Sequence, residues 1–250
     1  MDPVEYERMY QAEQSHWWYL GMQVITRALL DRYVNGSDAQ ILDAGCGTGA
    51  AMSACLPRYG QVTGCDFSIL ALRYCHQQAI QQIVQASVTA LPFPPEFFDV
   101  VTSFDVLYER GVDSPAAALA EFKRILRPAG KLLLRLPAYD WLRGQHDQAI
   151  HTGRRFDARS ISHLLNESGL RPLHITYANT FLFPLAVLKR LLERVFPPAA
   201  GSSDLTLGAG LFNPLLTRIL AAEAPIAAGR GLPFGLSVIA IAQKEDLDEH

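Results

Sequence analysis

The stretch that most constrains the fold is ILDAGCGTGA, Ile41 to Ala50. A short apolar run ends in the carboxylate of Asp43, and Gly45, Gly47 and Gly49 then alternate with small residues. The run is too short and too abruptly broken for a helix, so it reads as a buried strand. The glycines that follow form a loop whose backbone a ligand approaches closely. A strand of this kind, buried on both faces, calls for parallel neighbours and helical crossovers.

The rest of the chain supplies them. QVTGCD (61–66), the QIVQA region near 81–86, FDVVTSF (98–104) and KLLLRLP (131–137) read as further strands. SILALRYCHQQA (68–79) and SPAAALAEFKRIL (114–126) read as crossover helices, the second begun by an N-cap Ser114 with Pro115 in the first turn. Arg127-Pro128-Ala129-Gly130 reads as the turn into the next strand. DARSISHLLNESGL (157–170) then predicts a helix, RPLHITYA a strand, and FGLSVIAIAQK (234–244) a final strand. The alternation makes the chain α/β. We expect one domain over 1–250, with a helical cap at 1–37, a core at 38–179 and 233–245, and a helical insertion at 180–232.

Composition narrows the partners. A formal net charge of −3 gives no basic face for nucleic acid. No apolar run nears the roughly 18 residues that span a bilayer. Cys46, Cys55, Cys65 and Cys75 form no CxxC pair and show no metal-site spacing, and no leader pattern follows Met1. They read as reduced thiols of a cytoplasmic protein. His146, Asp147 and His151 do not share one helical face, so no metal is expected there.

The glycine loop satisfies G-x-G-x-x-G/A, the dinucleotide pattern, so an NAD(P)-dependent oxidoreductase is one reading. Asp43 argues against it, because a carboxylate aimed at the loop repels a pyrophosphate and attracts a cation. Asp66, at the end of the second strand, is placed to accept from a ribose diol, or to cap the helix that starts beside it. That placement identifies a ribose without choosing a reaction.

ILDAGCGTG, VTGCDFS, ASVTALPFPPEFFDVVTSFDVLYE and RILRPAGKLLLRLP, in this order and spacing, resemble the successive motifs of the class I S-adenosylmethionine-dependent methyltransferases. The similarity runs over roughly 38–178 and is strongest to the ubiquinone and menaquinone biosynthesis branch. It implies a Rossmann-like, doubly wound sheet of seven strands with the last antiparallel, and S-adenosyl-L-methionine as cofactor. It also implies methyl transfer to oxygen or carbon of a small molecule. By the same resemblance, Asp43 and the backbone at Gly45, Cys46 and Gly47 surround the methionine portion. Asp66 holds the ribose, Phe67 packs on the adenine, Ser87 and Val88 meet the adenine edge, and Phe104 ends the fourth strand. Relatives often carry Asp where this chain has Ser87, a weaker, uncharged acceptor. A non-catalytic adenosyl-ligand sensor has the same signature.

Acceptor contacts fall on the loops after the fourth and fifth strands. Tyr108 is a candidate acceptor contact or a packing aromatic. In the 138–157 loop, His146 is the candidate base, and His151 and Arg154 are candidate substrate contacts; its HD…RRF pattern is similar to the HDW…F loop of quinone O-methyltransferases. In the cluster His16-Trp17-Trp18-Tyr19, we expect one tryptophan to pack and the other to lid the cofactor. In the insertion, Lys189, Arg190 and Arg194 stand beside Leu185, Leu188, Leu191, Leu192 and Val195. Such a helix packs on its own domain, walls a greasy acceptor, rests on anionic lipid or pairs two copies.

Overall fold

The structure, a computed structural model, describes residues 3–108, 112, 114–143, 155–195 and 210–245. Seven strands form one sheet: β1 (Ala39–Ala44), β2 (Gly60–Asp66), β3 (Ile83–Gln85), β4 (Phe98–Phe104), β5 (Leu126–Pro137), β6 (Leu170–Ala178) and β7 (Ser237–Lys244). Their order is β3-β2-β1-β4-β5-β7-β6. β7 runs antiparallel to both β5 and β6, while β3, β2, β1, β4 and β5 are parallel. This is the doubly wound sheet with a reversed last strand that the sequence predicts.

The helices are α1 (Pro3–Glu13), α2 (Trp17–Tyr33), α3 (Ala50–Ala54), α4 (Ile69–Gln77), α5 (Pro115–Ile125), α6 (Ala158–Glu167), α7 (Phe183–Val195), α8 (Asn213–Ala221) and α9 (Ala224–Ala228). Their packing follows helical spacing. α2 buries Met22, Ile25, Leu29 and Leu30, and α5 buries Ala118, Leu119, Phe122 and Ile125. Both stripes join the main core with Ile41, Leu42, Val100, Val101 and Leu132 of the central strands. Ser114 caps α5 by accepting from the Ala117 N–H at 3.1 Å, as its N-cap position requires.

One boundary differs from expectation. β5 begins at Leu126 and runs through Arg127-Pro128-Ala129-Gly130, the segment expected as a turn. Pairing with β4 shifts register between Phe98 and Val100, and Ala129 takes a φ of 59°, so the strand absorbs the turn as an irregularity. The Asp99 carboxylate holds Arg127 there, both oxygens at 2.8 Å from one guanidinium nitrogen.

The segment before β7 is anchored to the amino-terminal helices as well as to the sheet. Asn213 caps across the gap, accepting from the Trp17 N–H at 2.8 Å and donating to the Ser15 carbonyl at 2.6 Å. Glu223, fully buried, accepts from the Phe181 N–H at 2.7 Å and pins the turn that leaves β6. Burial raises its carboxyl above the usual range. α8 seats in a notch on α2 made by Gly21, where a Cβ would stand 2.7 Å from the Leu220 side chain. A glycine inside a helix costs up to about 1 kcal/mol relative to alanine, and close packing against α8 offsets that cost.

This notch gives a direct test. Gly21→Val should destabilise the protein by about 1–3 kcal/mol through overpacking, read as a lower thermal midpoint. The double variant Gly21→Val/Leu220→Ala should recover part of that loss, whereas a surface-exposed Gly21 would tolerate valine unchanged.

Candidate functional site

The topology fixes where a ligand goes. β1 lies between β2 and β4, and the connections leave it in opposite directions, so the crevice outside its carboxyl end is the switch point of the sheet. The glycine loop sits there. Gly45 has a φ of +81°, and a Cβ on it would lie 2.2 Å from Val106, so only glycine fits both the backbone and the neighbour.

Asp43 precedes the loop. It pairs with Gly64 on β2 and Thr102 on β4, and is 2% exposed. Thr102 donates its hydroxyl to Asp43 Oδ1 at 2.7 Å. Burial dominates and raises the Asp43 carboxyl to about 6, with the Thr102 bond and Arg135 opposing and Asp66 adding to the rise. Asp66 ends β2 and reaches back to the same loop: Oδ2 accepts from the Gly47 N–H at 2.9 Å and Oδ1 from the Ser68 N–H at 2.8 Å. Its carboxyl is also raised by burial, despite those two backbone bonds. Ser68 itself is the N-cap of α4, accepting from the Ala71 N–H at 3.4 Å. Ser68, not Asp66, is thus the N-cap of α4, and the Asp66 carboxylate ties the glycine loop to the residue that caps it.

The remaining positions expected at the cofactor and acceptor differ in their surroundings. Phe67, directly after Asp66, is 78% exposed. Ser87 is engaged with Thr89, hydroxyl to hydroxyl at 2.8 Å, and Val88 is buried. Cys46 is buried and packs with Met52, Leu72 and Cys75, the last donating its thiol to the Gly47 carbonyl at 3.3 Å. All four cysteines are free and buried. Tyr108 is 7% exposed within the main core. His146, His151 and Arg154 lie outside the described residues. Among the described residues no group of three or more His, Cys, Asp or Glu is placed to hold a metal, and no helix is long and apolar enough to cross a membrane.

Several residues at the site were not legible in the motifs. Arg135 on β5 is sandwiched between Trp18 and Phe104, its guanidinium carbon 4.9 Å from each ring centroid. Asp105, in the left-handed region at φ 61°, holds it with a 2.7 Å ion pair. Such a desolvated stack is worth on the order of 2 kcal/mol. Trp18 therefore closes the carboxyl ends of β4 and β5, with Tyr19 edge-on against it at 4.9 Å. His16 caps α2, accepting from the Trp18 N–H at 3.3 Å. From α1, Glu13 accepts the Thr48 hydroxyl and is 7% exposed. Burial pushes its carboxyl to about 7, with Asp43 adding to the rise and Thr48 and Arg135 opposing it. A single cation inside an apolar strand, as in KLLLRLP, was the one sequence signal for this group. Glu13 gave none, because its partner Thr48 is 35 residues away.

Beyond the ends of β5 and β6 lies an aromatic wall. Tyr139 stacks on Tyr177 at 5.4 Å and on Trp141 at 5.9 Å, and Phe183 meets Phe234 at 5.3 Å. Trp141 is half exposed.

The donor set suits a ligand with a ribose and a positive charge. The glycine loop gives close backbone approach, Asp66 offers a diol acceptor, and Asp43 supplies negative charge where a dinucleotide would need the reverse.

Comparison with known proteins agrees. Residues 42–134 match the family described as "Methyltransferase domain". A malonyl-[acyl-carrier protein] O-methyltransferase of Enterobacter lignolyticus is 31% identical over 168 residues, 61% of this chain and 64% of that protein. A ubiquinone/menaquinone biosynthesis C-methyltransferase of Shewanella piezotolerans is 34% identical over 121 residues, 43% of this chain and 47% of that protein. The chain thus spans about half to two thirds of the length of these curated relatives. Among solved structures, a Thermotoga maritima methyltransferase described as a possible histamine N-methyltransferase superposes with a TM-score of 0.60 at 15% identity, over 97% of this chain and 96% of that one. A geranyl diphosphate C-methyltransferase of Streptomyces coelicolor, solved with Mg2+, geranyl diphosphate and S-adenosyl-L-homocysteine, gives 0.57 at 16% identity, over 88% and 78%. These two likenesses concern the fold. The motifs, the seven-stranded sheet and the match over residues 42–134 agree, and this part of the chain is similar to S-adenosylmethionine-dependent methyltransferases.

Proposed function

We propose that this chain is a methyltransferase that binds S-adenosyl-L-methionine across the ends of β1, β2 and β4 and methylates oxygen or carbon of a small, hydrophobic molecule in the cytoplasm. The observation that carries the cofactor reading is the pair of carboxyls, buried Asp43 on β1 and half-buried Asp66 at the end of β2, that flank one glycine loop. Bound there, the cofactor supplies a methyl group on a sulfonium. Asp43 and the backbone at Gly45, Cys46 and Gly47 hold its amino-acid end. Asp66 accepts from the ribose, Phe67 covers the adenine, and Ser87 and Val88 border it, with Phe104 beneath the Arg135 stack.

The chain's work is then alignment and exclusion of water, since displacement at a sulfonium needs no acid catalyst. Trp18 and the Arg135–Asp105 pair close the ends of β4 and β5 where the acceptor enters. A base is required only for a protonated acceptor such as a phenol. His146 is the residue proposed for it, with His151 and Arg154 as acceptor contacts.

The hydrophobic character of the acceptor rests on the aromatic wall and on α7. Leu185, Leu188, Leu191 and Leu192 of that helix are each more than half exposed, beside Lys189 and Arg190. Phe212 and Leu215 are also more than half exposed. An apolar face edged by cations suits the interface of an anionic membrane, from which a greasy acceptor is collected.

Two experiments test the reading. Asp66→Ala should weaken binding of S-adenosylhomocysteine about 10- to 100-fold by calorimetry, the scale of lost hydrogen bonds to a charged group. Unchanged affinity would remove Asp66 from the ribose site. The protein should sediment with vesicles containing phosphatidylglycerol and not with phosphatidylcholine alone, and Leu188→Asp/Leu192→Asp should abolish that. Indifference to vesicles, with a monomer–dimer shift in the same variant, would assign the surface to a second copy instead.

A further inference from the structure

We infer that Glu13, delivered by α1, is a second acidic contact to the positive charge of the methyl donor, and that with Asp43 it forms a carboxyl pair which gives up a proton as that cation binds. This rests on the S-adenosylmethionine reading above.

The geometry comes first. Glu13 is the last residue of α1, where the helix carbonyls already concentrate negative potential. Its carboxylate is fixed to the glycine loop by the Thr48 hydroxyl, and Thr48 is fully buried. α1 lies over that loop: a Cβ on Gly47 would stand 3.3 Å from the Met9 methyl, and Tyr10 stacks on Tyr74 of α4 at 4.9 Å. Glu13 is thereby held at the amino-acid end of the proposed cofactor site, within electrostatic reach of Asp43.

The charges around it are strongly one-sided. Asp43 acts on it from β1, while Asp66 ends β2 and Asp105 follows β4. Arg135 of β5 is the cation acting on Glu13, and Asp105 takes it in a 2.7 Å ion pair. From α2, Tyr19 is held neutral, its hydroxyl raised by burial and by Glu13 itself. His16 serves as the cap of α2. On α4, Arg73 and His76 are exposed to water. The cleft beside Glu13 is lined by the neutral Gln14, Gln23, Ser53 and Gln78. Burial has raised both carboxyls, Glu13 to about 7 and Asp43 to about 6, so near neutrality Glu13 keeps a proton for much of the time. A ligand bearing an ammonium and a sulfonium favours the ionised pair and expels that proton. The thioether product lacks the sulfonium and favours it less, so the same pair discriminates donor from product.

The sign follows from linkage. A cation that requires ionised Glu13 binds more tightly as pH rises through 7 and levels off above it, a gain of about ten-fold between about pH 6 and pH 8. For stability the effect is opposite. A carboxyl raised from 4.5 to about 7 in the folded state holds more protons there than when unfolded, so stability falls as pH rises through that window. Glu13→Gln keeps an acceptor for Thr48 and should therefore fold at least as well as the wild type at about pH 8.

The test is calorimetric titration of the full chain with S-adenosylmethionine, and separately S-adenosylhomocysteine, in buffers of different ionisation enthalpy. At about pH 6.5 the methyl donor should release more than about half a proton, the thioether less, and neither should release any near pH 8.5. In Glu13→Gln the release should fall to the smaller share that Asp43 gives up and the pH dependence of affinity near pH 7 should flatten, with the thermal midpoint at pH 8 unchanged or raised. Donor binding without proton release, or equal release by wild type and Glu13→Gln, overturns the inference and leaves the cofactor reading standing. Absence of binding by either compound at every pH overturns both.

Discussion

Asp43 stands 2% exposed on the innermost strand, with parallel neighbours on both sides, and much of the molecule is arranged around satisfying it. Burying a carboxylate without partners is prohibitive, so the group either takes a proton or acquires donors and cations. Thr102 supplies one hydrogen bond across the β1–β4 register. Opposite, β2 offers Gly64, where a Cβ would strike Met52 at 2.4 Å, which lets the strand ends and the loop draw together. The remaining demand for positive charge is directed outward through the glycine loop. The carboxylate that makes the strand end awkward to fold is thus also the charge that the proposed function uses to favour a cation.

A second layer closes that crevice from the acceptor side. Arg135 is a cation in a strand whose inward neighbours are leucines, and it is tolerated because two aromatic faces and Asp105 receive it. One of those faces, Trp18, belongs to α2, whose start is fixed by the His16 cap and by Asn213 of α8. The wall of the site therefore depends on contacts reaching from the amino-terminal helices to the segment before β7. Asn213 joins the two with a pair of hydrogen bonds, to the Trp17 N–H and the Ser15 carbonyl.

The sheet was legible in the sequence because its strands are continuous apolar runs and its loops carry glycine, each a local signal. The reversed last strand came from the family resemblance, and the register agrees with it. Asp43, Gly45, Gly47 and Asp66, the residues proposed to face the cofactor, were legible for the same reason, since each lies at a strand end or in a turn. What local pattern does not carry is a pairing across long separations. Trp17 and Asn213 are 196 residues apart, Glu13 and Thr48 are 35 apart, and Glu223 pins a turn 42 residues earlier. The extra length of β5 was missed because Pro128 and Gly130 have the composition of a turn while the backbone there stays paired with its neighbours. Tyr108, weighed as an acceptor contact, is placed by its burial with the core, and amphipathic spacing alone does not separate those roles.

The central claim is that this glycine loop is built for a cationic adenosyl ligand and against a pyrophosphate. Side-by-side calorimetric titration of the wild-type chain with S-adenosylhomocysteine and with NAD addresses it most directly. The account predicts micromolar binding of the thioether and no heat from NAD. Tight NAD binding with no signal from the thioether would contradict it, and the buried Asp43 would then require another explanation.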